Sequence, residues 1–213
     1  MRQNVSQKRR VAVLGATGAT GRHVVAAALR SGHEVVALTR TQGSFEPSRG
    51  LTELAWPDVT DADPLARAFR GVDAVISAIG GAARGPTTVC TDAINAAVPA
   101  MIEAGASRLI VVSAHGVLES HDRSLYSLLA WAGVRERLKD KETMEPLITS
   151  SELEWTIVRP PMLTNAFPAG NYTVGEELSI RPWHTIGRAD LAAFLIHEAE
   201  AGRFVRRYPR IHR

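Results

Sequence analysis

The segment that most constrains the fold of this chain is Gly-Ala-Thr-Gly-Ala-Thr-Gly at residues 15–21, directly after the apolar run 11–15. Its glycines lack the Cβ atom that would block a tight turn or the close approach of a ligand to the backbone; they are Gly15, Gly18 and Gly21. The amphipathic stretch that follows presents free N–H groups and a positive dipole end to an anion, and the Thr17 and Thr20 hydroxyls are further donors. A tight turn without a ligand is the alternative. The strand–turn–helix context favours a turn that binds the pyrophosphate of a dinucleotide.

Short β-branched runs alternate with longer amphipathic stretches, a pattern typical of a parallel sheet covered by helices. The predicted strands are 11–15, 33–39, 51–56, 73–80, 108–114, 154–161 and 204–211. The predicted helices are 23–30, one that opens at 63–64, 88–104, 136–149 and 188–201, with 116–135 read as a loop with room for a further helix. A loop at 162–187, with a hairpin around 172–180, is expected to cover the pocket. We predict an α/β fold, a Rossmann-like doubly wound parallel sheet with a small irregular C-terminal substrate lobe, in one domain over residues 1–213.

The formal net charge of +3 comes from the two ends of the chain. Residues 1–10 and 203–213 carry nine basic and no acidic residues, which leaves 16 basic and 22 acidic residues in the body. A protein that binds nucleic acid carries its positive charge on the folded surface, so we expect no nucleic-acid partner and two solvated basic ends. The single cysteine, Cys90, excludes an internal disulfide, and no Cys/His spacing suggests a metal site. The apolar run after residue 10 is too short for a signal peptide or a membrane span, so we expect a cytoplasmic protein with no membrane partner.

The end of the second predicted strand bears on the choice of dinucleotide. Enzymes that use NAD typically carry an acidic residue here, which accepts hydrogen bonds from the ribose 2′-hydroxyl. This chain has Arg40, and a guanidinium can pair with a 2′-phosphate. We therefore predict NADPH as the cofactor, with Ser44 and Arg49 in the next loop as weaker candidate contacts. The alternative is that Arg40 is only a solvated strand end.

Further candidate cofactor residues follow the other predicted strands. Asp58 and Val59 lie where the adenine is expected, although Asp58 could equally cap the helix that follows. The remaining candidates, at the carboxyl ends of predicted strands where such sheets bind ligands, are Ala78, Ile79, Gly80 and Ser113.

Seven pieces of sequence, spread in order along the chain, carry a resemblance to a known family. They are GATGATG (15–21), LTR (38–40), DVTD (58–61), GPTTV (85–89), WTIVRPP (155–161), NYTV (171–174) and IGRADLAAFL (186–195). The chain resembles the atypical short-chain dehydrogenase/reductases of the NAD(P)H-binding, NmrA-like branch, and within it the flavin reductase (biliverdin IXβ reductase) group. The resemblance implies NADPH binding, with the nicotinamide against Ser113, Pro160 and Pro161, and hydride transfer to FMN, FAD or another planar aromatic or quinone-like acceptor.

The substrate half departs from the pattern of these families. Most short-chain reductases have a Tyr-x-x-x-Lys pair, but Tyr126 is followed four residues later by Ala130. His115 stands where the flavin reductases place a serine, and Met162 stands where they place a histidine. The candidates for substrate binding are therefore His115, Met162 and Trp183.

Two residues are candidates for catalysis. His115 can exchange a proton near neutral pH, and Lys141 lies where related families have a lysine that reaches the cofactor ribose or the substrate. The structural alternatives are a satisfied loop histidine and an exposed ion pair of Lys141 with Glu145; for Trp183 the alternative is packing of the loop against the body.

Three functions remain open from the sequence. The first is an NADPH-dependent reductase that acts as a monomer on a small-molecule acceptor. The second is a reductase, dehydratase or isomerase of a biosynthetic pathway, with His115 or Lys141 as the acid or base. The third is a redox sensor of the NmrA-like kind, which binds NADP without catalysing a reaction.

Overall fold

Six parallel strands form the central sheet in the computed structural model, which describes residues 7–81, 85–122 and 124–213. The strands are β1 (Arg10–Leu14), β2 (Glu34–Thr39), β3 (Leu51–Ala55), β4 (Ala74–Ser77), β5 (Arg108–Val112) and β6 (Glu154–Val158), in the order β3-β2-β1-β4-β5-β6. The strand order reverses between β1 and β4, which pair from Val11 with Ala74 to Leu14 with Ser77. Open α/β sheets bind ligands at the carboxyl edge beside such a reversal. The predicted fold class is confirmed.

Helices cover both faces of the sheet. Helices α1 (Gly21–Arg30) and α5 (Arg188–Ala201) pack on one face, and α2 (Asp63–Ala68), α3 (Val89–Ala104) and α4 (Leu125–Thr149) pack on the other. Successive residues of β1 point to opposite faces, so that Val11 and Val13 join the core under α1 and α5 while Ala12 and Leu14 join the other core. Burial on both faces explains why β1 and β5 are almost continuously apolar.

Packing of apolar side chains holds the helices in place. Ile94 and Met101 of α3 and Leu191 and Leu195 of α5 are completely shielded from solvent. Each such side chain stabilises the fold by about 1.5–3 kcal/mol. The N-terminal ends of α1 and α3 lie at the carboxyl edge of the sheet, where the site described below forms. These ends are at Thr20–Gly21 and Thr88–Val89.

Helix α4 is longer than predicted, because it begins at Leu125 rather than near residue 136. The Ser124 hydroxyl accepts a hydrogen bond from the backbone N–H of Ser127 and caps the helix. The first three turns are uncharged and lack the Glu–Lys alternation that predicted the second half. At Val134, directly after Gly133, the backbone leaves helical geometry (φ −137°, ψ 34°), so that α4 consists of two halves joined at a kink.

The end of the chain is part of the fold. Arg207 and Arg210 form parallel bridges with Thr156 and Arg159, so that the segment runs along the free edge of β6, and Ile211 is completely buried. The segment is therefore not a free end, because Phe204 and Ile211 anchor it to the body. Its charges are solvated as expected at Arg203, Arg206, Arg207 and Arg213, which are exposed. At the other end, residues 1–6 of the basic tail expected at 1–10 lie outside the described residues, and Arg10 is the first residue of β1.

The C-terminal lobe pairs differently from the prediction. Strand β8 (Thr173–Gly175) pairs antiparallel with β10 (Arg210–His212), and β7 (Met162–Thr164) pairs parallel with β9 (Thr185–Gly187). The predicted hairpin around 172–180 is wrong, because the partner of β8 is the end of the chain. The strand predicted at 204–211 is confirmed only for its last part, within β10.

Candidate functional site

Two depressions at the carboxyl edge of the sheet join to form one cleft. The smaller, of about 370 Å³, lies beside the ends of β1 and β2. The larger, of about 570 Å³, lies beside the ends of β5 and β6. Both are lined by the four residues that directly follow β4, which are Ala78, Ile79, Gly80 and Gly81. A single extended ligand can therefore pass from one depression into the other.

The glycine turn forms one wall of the smaller depression. Gly15 has a φ of +71°, which side-chain-bearing residues rarely adopt, and its carbonyl accepts a hydrogen bond of 2.9 Å from the N–H of Gly18. Gly15, Thr17 and Gly18 line the smaller depression, and Thr20 lines the larger one. The first turn of α1 contains no acidic residue, so its N–H groups and dipole end remain available to an anion.

Gly21 has a different role from the other two glycines. It is the first residue of α1, and a Cβ atom at this position would lie 2.0 Å from the carbonyl oxygen of Gly15. Gly21 is needed so that the turn can pack against the helix, and it does not line the cleft.

Arg40 is exposed at the end of β2 and lines the smaller depression. The loop after it is held by Glu53 of β3, whose carboxylate accepts hydrogen bonds from the Thr39 hydroxyl (2.9 Å) and from the backbone N–H groups of Gly43 (3.1 Å) and Ser44 (2.9 Å). Burial raises the pKa of Glu53, but these hydrogen bonds outweigh it and the net shift is downward. The anchored loop fixes the direction in which the chain leaves Arg40.

Two residues near Arg40 differ from what the sequence suggested. The Ser44 hydroxyl donates to the carbonyl of Thr41 (2.8 Å), and Ser44 does not line the cleft. Arg22, which the sequence analysis did not single out, donates to the Ser44 carbonyl (3.3 Å) and lies over the Phe45 ring, 5.1 Å from its centroid. The signal for Arg22 was its place directly after the last glycine of the turn.

Val59 and Trp56 line the smaller depression, where the sequence predicts the adenine. Asp58 is exposed and outside the lining; its carboxylate accepts from the backbone N–H (2.9 Å) and the hydroxyl (2.8 Å) of Thr60. The suggestion that Asp58 caps the following helix is wrong, because the N-cap of α2 is Ala62 and Asp58 closes a turn before it.

A buried charged network lies beneath the larger depression. Ser113, which lines it, donates a hydrogen bond of 2.5 Å from its hydroxyl to Glu145, and Glu145 is paired with Arg159. Arg159 also pairs with Glu119 (2.6 Å), and its guanidinium lies 4.3 Å from the ring centroid of Tyr208. Burial lowers the pKa of Arg159, but the hydrogen bonds that its guanidinium donates to both carboxylates outweigh burial and raise that pKa. Since the Ser113 proton is directed to Glu145, the hydroxyl faces a ligand as an acceptor.

Lys141 is buried, and its ammonium group donates to the carbonyl of Val112 at the end of β5 (2.8 Å). The alternative of an exposed pair with Glu145 is wrong, because Arg159 and Ser113 occupy that carboxylate. The neighbouring Asp140 accepts from the backbone N–H groups of Cys90 (2.9 Å) and Thr91 (3.0 Å). Asp140 therefore caps α3 from another helix, a contact that sequence spacing did not reveal.

His115 is buried in the wall of the larger depression. Its backbone N–H donates to the carbonyl of Pro160 (2.9 Å), and its ring lies 5.3 Å from that of Tyr126. Within the described residues, its Nδ1 is buried without a hydrogen-bond partner. Burial, aided by the charges of Arg210 and Arg159 and opposed by Asp122, lowers the pKa of His115 to about 4. The imidazole is therefore neutral at pH 7, so it can form hydrogen bonds but does not act as a cationic acid.

Tyr126 lines the same depression, and sequence reasoning missed it. Tyr126 and Lys141 come from the two halves of α4, on either side of the kink at Val134, and both line the same cavity. Burial raises the pKa of Tyr126 to about 12, which keeps its hydroxyl protonated at pH 7.

The mouth of the larger depression is formed by the segment after β6. Pro160 and Pro161 are buried and line the cavity, and Met162 lines it while remaining 59% exposed. Trp183 is 68% exposed and does not line the cavity, although its neighbour Pro182 does; the indole ring lies 5.5 Å from the Arg181 guanidinium. Stacking of Trp183 on a substrate stays a prediction.

The first turn of α5 anchors this segment. Asp190 accepts hydrogen bonds from the backbone N–H groups of Ala169 (3.1 Å) and Gly170 (3.0 Å). Arg188 donates from Nη1 to Asn165 Oδ1 (2.7 Å). The loop at 162–187 is thus held against the body by side chains of the helix that follows it.

The charged side chains that line the larger depression in the described part of the chain are all cationic: Arg137, Lys141 and Arg188. The Nε of Arg188 is buried without a hydrogen-bond partner among the described residues. An anionic ligand that spans both depressions supplies acceptors for this atom, for the N-terminus of α1 and for Arg40. The residues present therefore fit a dinucleotide phosphate such as NADP(H).

A metal-binding cluster and a membrane-spanning helix are both absent from residues 7–81, 85–122 and 124–213. No cluster of three or more His, Cys, Asp or Glu side chains in these ranges could hold a metal ion. None of the helices in these ranges is both long enough and apolar enough to span a membrane.

Comparisons with known proteins agree with the geometry. The chain is 28% identical over 145 residues to an isoflavone reductase homologue of Nicotiana tabacum, which covers 63% of this chain and 44% of the relative. It is 26% identical over 173 residues to isoflavone reductase of Pisum sativum, which covers 71% of this chain and 50% of the relative. The chain thus spans about half the length of these relatives.

Solved structures share the fold over nearly the whole chain. An oxidoreductase of Lactococcus lactis superimposes with a TM-score of 0.81 at 17% identity, over 95% of this chain and 90% of that one. An anaerobilin reductase of Escherichia coli superimposes with a TM-score of 0.80 at 23% identity, over 95% and 96% of the two chains.

The model of one protein family matches residues 15–201, from the first glycine of the turn to the end of α5. The match therefore includes the glycine turn, Arg40, Ser113, Lys141 and both depressions. This chain belongs to the NAD(P)H-binding family.

Proposed function

We propose that this protein is an NADPH-dependent oxidoreductase that transfers a hydride to a planar acceptor, either a flavin or another aromatic, quinone-like compound. The observation that carries the proposal is the continuity of the cleft. The dinucleotide end, with the glycine turn and Arg40, opens through residues 78–81 into a second cavity of about 570 Å³ with mostly apolar walls. The nicotinamide end of the cofactor takes up part of this second cavity, and a protein that only bound the cofactor would not need the rest of it.

At the cofactor end, each part of the chain binds one part of the dinucleotide. The turn and the first N–H groups of α1 hold the pyrophosphate, and Arg40 pairs with the 2′-phosphate. Ser113, Pro160 and Pro161 face the nicotinamide. Bound NADPH supplies the hydride. The Ser113 hydroxyl, which donates to Glu145, orients the ring by accepting a hydrogen bond from its carboxamide.

At the acceptor end, the cavity walls exclude water and the polar groups orient the ring. Ile79, Leu138 and Leu163 contribute apolar surface. Tyr126, whose raised pKa keeps its hydroxyl protonated at pH 7, and Lys141 line the cavity as hydrogen-bond donors, whereas the neutral His115 anchors the acceptor by a hydrogen bond. A reduced flavin takes its proton from solvent, so hydride transfer to a flavin needs none of these three side chains as an acid.

The sequence relatives support a reductase, since several of those that match are named isoflavone reductases or isoflavone reductase homologues. Because the chain spans about half of their length, their activity is carried over only as part of this proposal. We propose that the protein acts as a monomer on a small-molecule acceptor.

The test is anaerobic oxidation of NADPH and of NADH by the purified protein with FMN as the acceptor. Fast turnover with NADPH and little with NADH supports the proposal. Tight NADPH binding without reduction of FMN or of a simple quinone would contradict it and would favour a sensor that binds the cofactor without turnover.

A second candidate is a pathway enzyme that reduces a carbonyl group, and the presence of Tyr126 and Lys141 in one cavity favours it. A carbonyl oxygen must be protonated as the hydride arrives, and these two groups are the available donors. The variants Tyr126→Phe and Lys141→Met separate the two candidates. Because both groups also orient the acceptor ring, flavin reduction should fall by at most about 10-fold in either variant. Carbonyl reduction, which loses its proton donor, should fall by about 10²-fold or more.

A further inference from the structure

Exposed apolar side chains are concentrated around the mouth of the larger depression. Among the described residues, seven of the nine large apolar side chains that are exposed lie on the first half of α4 or on the segment 162–187. Four of them form what we call the apolar rim: Leu125 (61% exposed), Leu128 (61%), Leu129 (56%) and Met162 (59%). Leu129 and Met162 belong at once to the rim and to the cavity wall, so the apolar surface continues from the cavity to the outside.

The rim also lacks charge. Residues 124–134 and 160–175 contain no Asp, Glu, Lys or Arg, in a chain in which 22% of the residues are charged. The second half of α4, from Arg135, returns to the charged outer face that surface helices normally show. The spacing of Leu125, Leu128 and Leu129 (i, i+3, i+4) places all three on one face of the helix. A contiguous exposed apolar surface of this kind marks a binding surface.

We infer that the acceptor carries an apolar tail, such as an alkyl or prenyl chain, that leaves the cavity across the apolar rim. The inference rests on the proposed function and adds the substrate class. The larger depression must hold the nicotinamide end of the cofactor and the acceptor ring, so a tail attached to that ring has to continue outside. The outlet is lined by Leu129 and Met162, which one ligand can contact from the cavity to the surface.

Quinones are suitable probes, because the same ring is available with and without a tail. In the reaction, the quinone gains one hydride and one proton from solvent and becomes the quinol, and NADPH is oxidised to NADP⁺. Covering one methylene group with apolar surface strengthens binding by about fourfold when the group is fully buried. A tail that is covered on one face should gain roughly twofold per methylene group.

The experiment compares 2,3-dimethoxy-5-methyl-1,4-benzoquinone with its 6-decyl derivative, both below the concentration at which the decyl compound aggregates. With the wild-type protein, the decyl compound should have a kcat/KM at least about 10-fold higher, mainly through a lower KM. In the variant Leu125→Ser/Leu128→Ser, this advantage should fall to less than about threefold. The kcat/KM of the short quinone should not change, because neither leucine lines the cavity.

Ile102→Ser is the matched control. Ile102 is 58% exposed, as apolar as the rim leucines, and lies near the C-terminal end of α3, at the sheet edge opposite the cleft. The control should keep the full advantage of the decyl compound.

Several outcomes would overturn the inference. If both quinones are reduced equally well by the wild type, or if the leucine variant keeps the full advantage, no tail crosses the rim, while the proposed reductase activity stands. If neither quinone is reduced, affinities of both quinones for the NADP⁺ complex are compared by calorimetry, and equal affinities reject the tail. The proposed function itself fails only if FMN is not reduced either. A dimer in analytical ultracentrifugation that the leucine variant dissociates would assign the rim to a second copy of the chain.

Discussion

Arg40 and His115 contribute to the site in different ways, and both follow from their surroundings. Arg40 is exposed and reaches the cleft as a charge at the end of β2. Only 2% of His115 is exposed. The ring is buried in its neutral form, because an imidazolium there would lack hydration. Arg40 therefore acts through its charge, and His115 acts through its shape and its hydrogen bonds.

Replacing Arg40 with Gln should separate the two cofactors. The loss of a charged contact to the 2′-phosphate corresponds to about 1.5–3 kcal/mol, so the KM for NADPH should rise by roughly 10- to 100-fold. The KM for NADH should change less than threefold, because NADH lacks that phosphate. Steady-state kinetics with both cofactors measures the effect, and Arg70→Gln, at an exposed position that lines neither depression, is the control. Equal losses with both cofactors would contradict the assignment.

His115 should make stability depend on pH in the acid range. Its pKa is about 4 in the folded protein against an ordinary value of 6.5, so between these values the unfolded chain binds a proton that the folded protein does not. The free energy of unfolding should therefore rise with pH from about 4 to 6.5, by at most about 1.4 kcal/mol per pH unit from this group, and be fully present above 6.5.

Urea unfolding at a series of pH values measures this dependence. His115→Gln should remove it, whereas substitution of the exposed His197 should leave it unchanged. An unaltered slope in the His115 variant would show that other groups cause the dependence.

At the scale of elements, α4 contributes side chains both to the cavity and to the apolar rim. Its second half supplies Lys141 to the cavity, Glu145 to the network under Ser113 and Asp140 to the N-terminus of α3. Its first half supplies Tyr126 to the cavity and the leucines of the rim. The kink at Val134 lets the two halves follow different surfaces of the body.

The cap that Asp140 provides to α3 should be measurable. Asp140→Ala removes the acceptor for the N–H groups of Cys90 and Thr91 and should lower the free energy of unfolding by about 1–2 kcal/mol. Thermal and urea unfolding measure the loss. Glu136→Ala, at a partly exposed position on the same helix, removes an ion pair with Lys139 (3.2 Å) and should change stability by less than about 0.5 kcal/mol.

At the scale of the whole molecule, the order of the strands places the cleft. The reversal between β1 and β4 separates α1 from α3, and their N-terminal ends flank the space in which the dinucleotide fits. The end of the chain covers the free edge of β6, where Phe204 and Ile211 are buried against the core under α1 and α5.

Deletion of residues 207–213 should therefore destabilise the whole fold. It removes the buried Ile211, strand β10 and the bridges to Thr156 and Arg159, and we expect a loss of more than about 3 kcal/mol, seen as a lower Tm. Arg207→Ser, which removes an exposed charge but keeps the segment, should change stability by less than about 0.5 kcal/mol. Equal Tm values for the deletion and the wild type would show that the segment contributes nothing.

The part of the site that depends on local chemistry was predictable. Glycines at 15, 18 and 21 between a strand and a helix are required by the geometry of one turn, and the position of Arg40 follows from the length of one strand. Ser113, Pro160 and Pro161 were also placed at the cavity, because carboxyl ends of parallel strands meet at one edge. Position alone suggested ligand contacts for three further residues, Ser44, Asp58 and Trp183. In the structure, Ser44 and Asp58 form local hydrogen bonds, and Trp183 lies outside the cavity lining.

The sequence by itself determined the order of strands and helices, the anion-binding turn and the cation beside it, because these depend on residues that are close along the chain. Only the tertiary structure decided that Ser113 donates to Glu145, that Tyr126 and Lys141 share a cavity with His115, and that the basic C-terminal segment is part of the sheet edge. Those contacts join residues far apart in the sequence, and their energies come from burial and from long-range pairing of charges. No short pattern of residues encodes them.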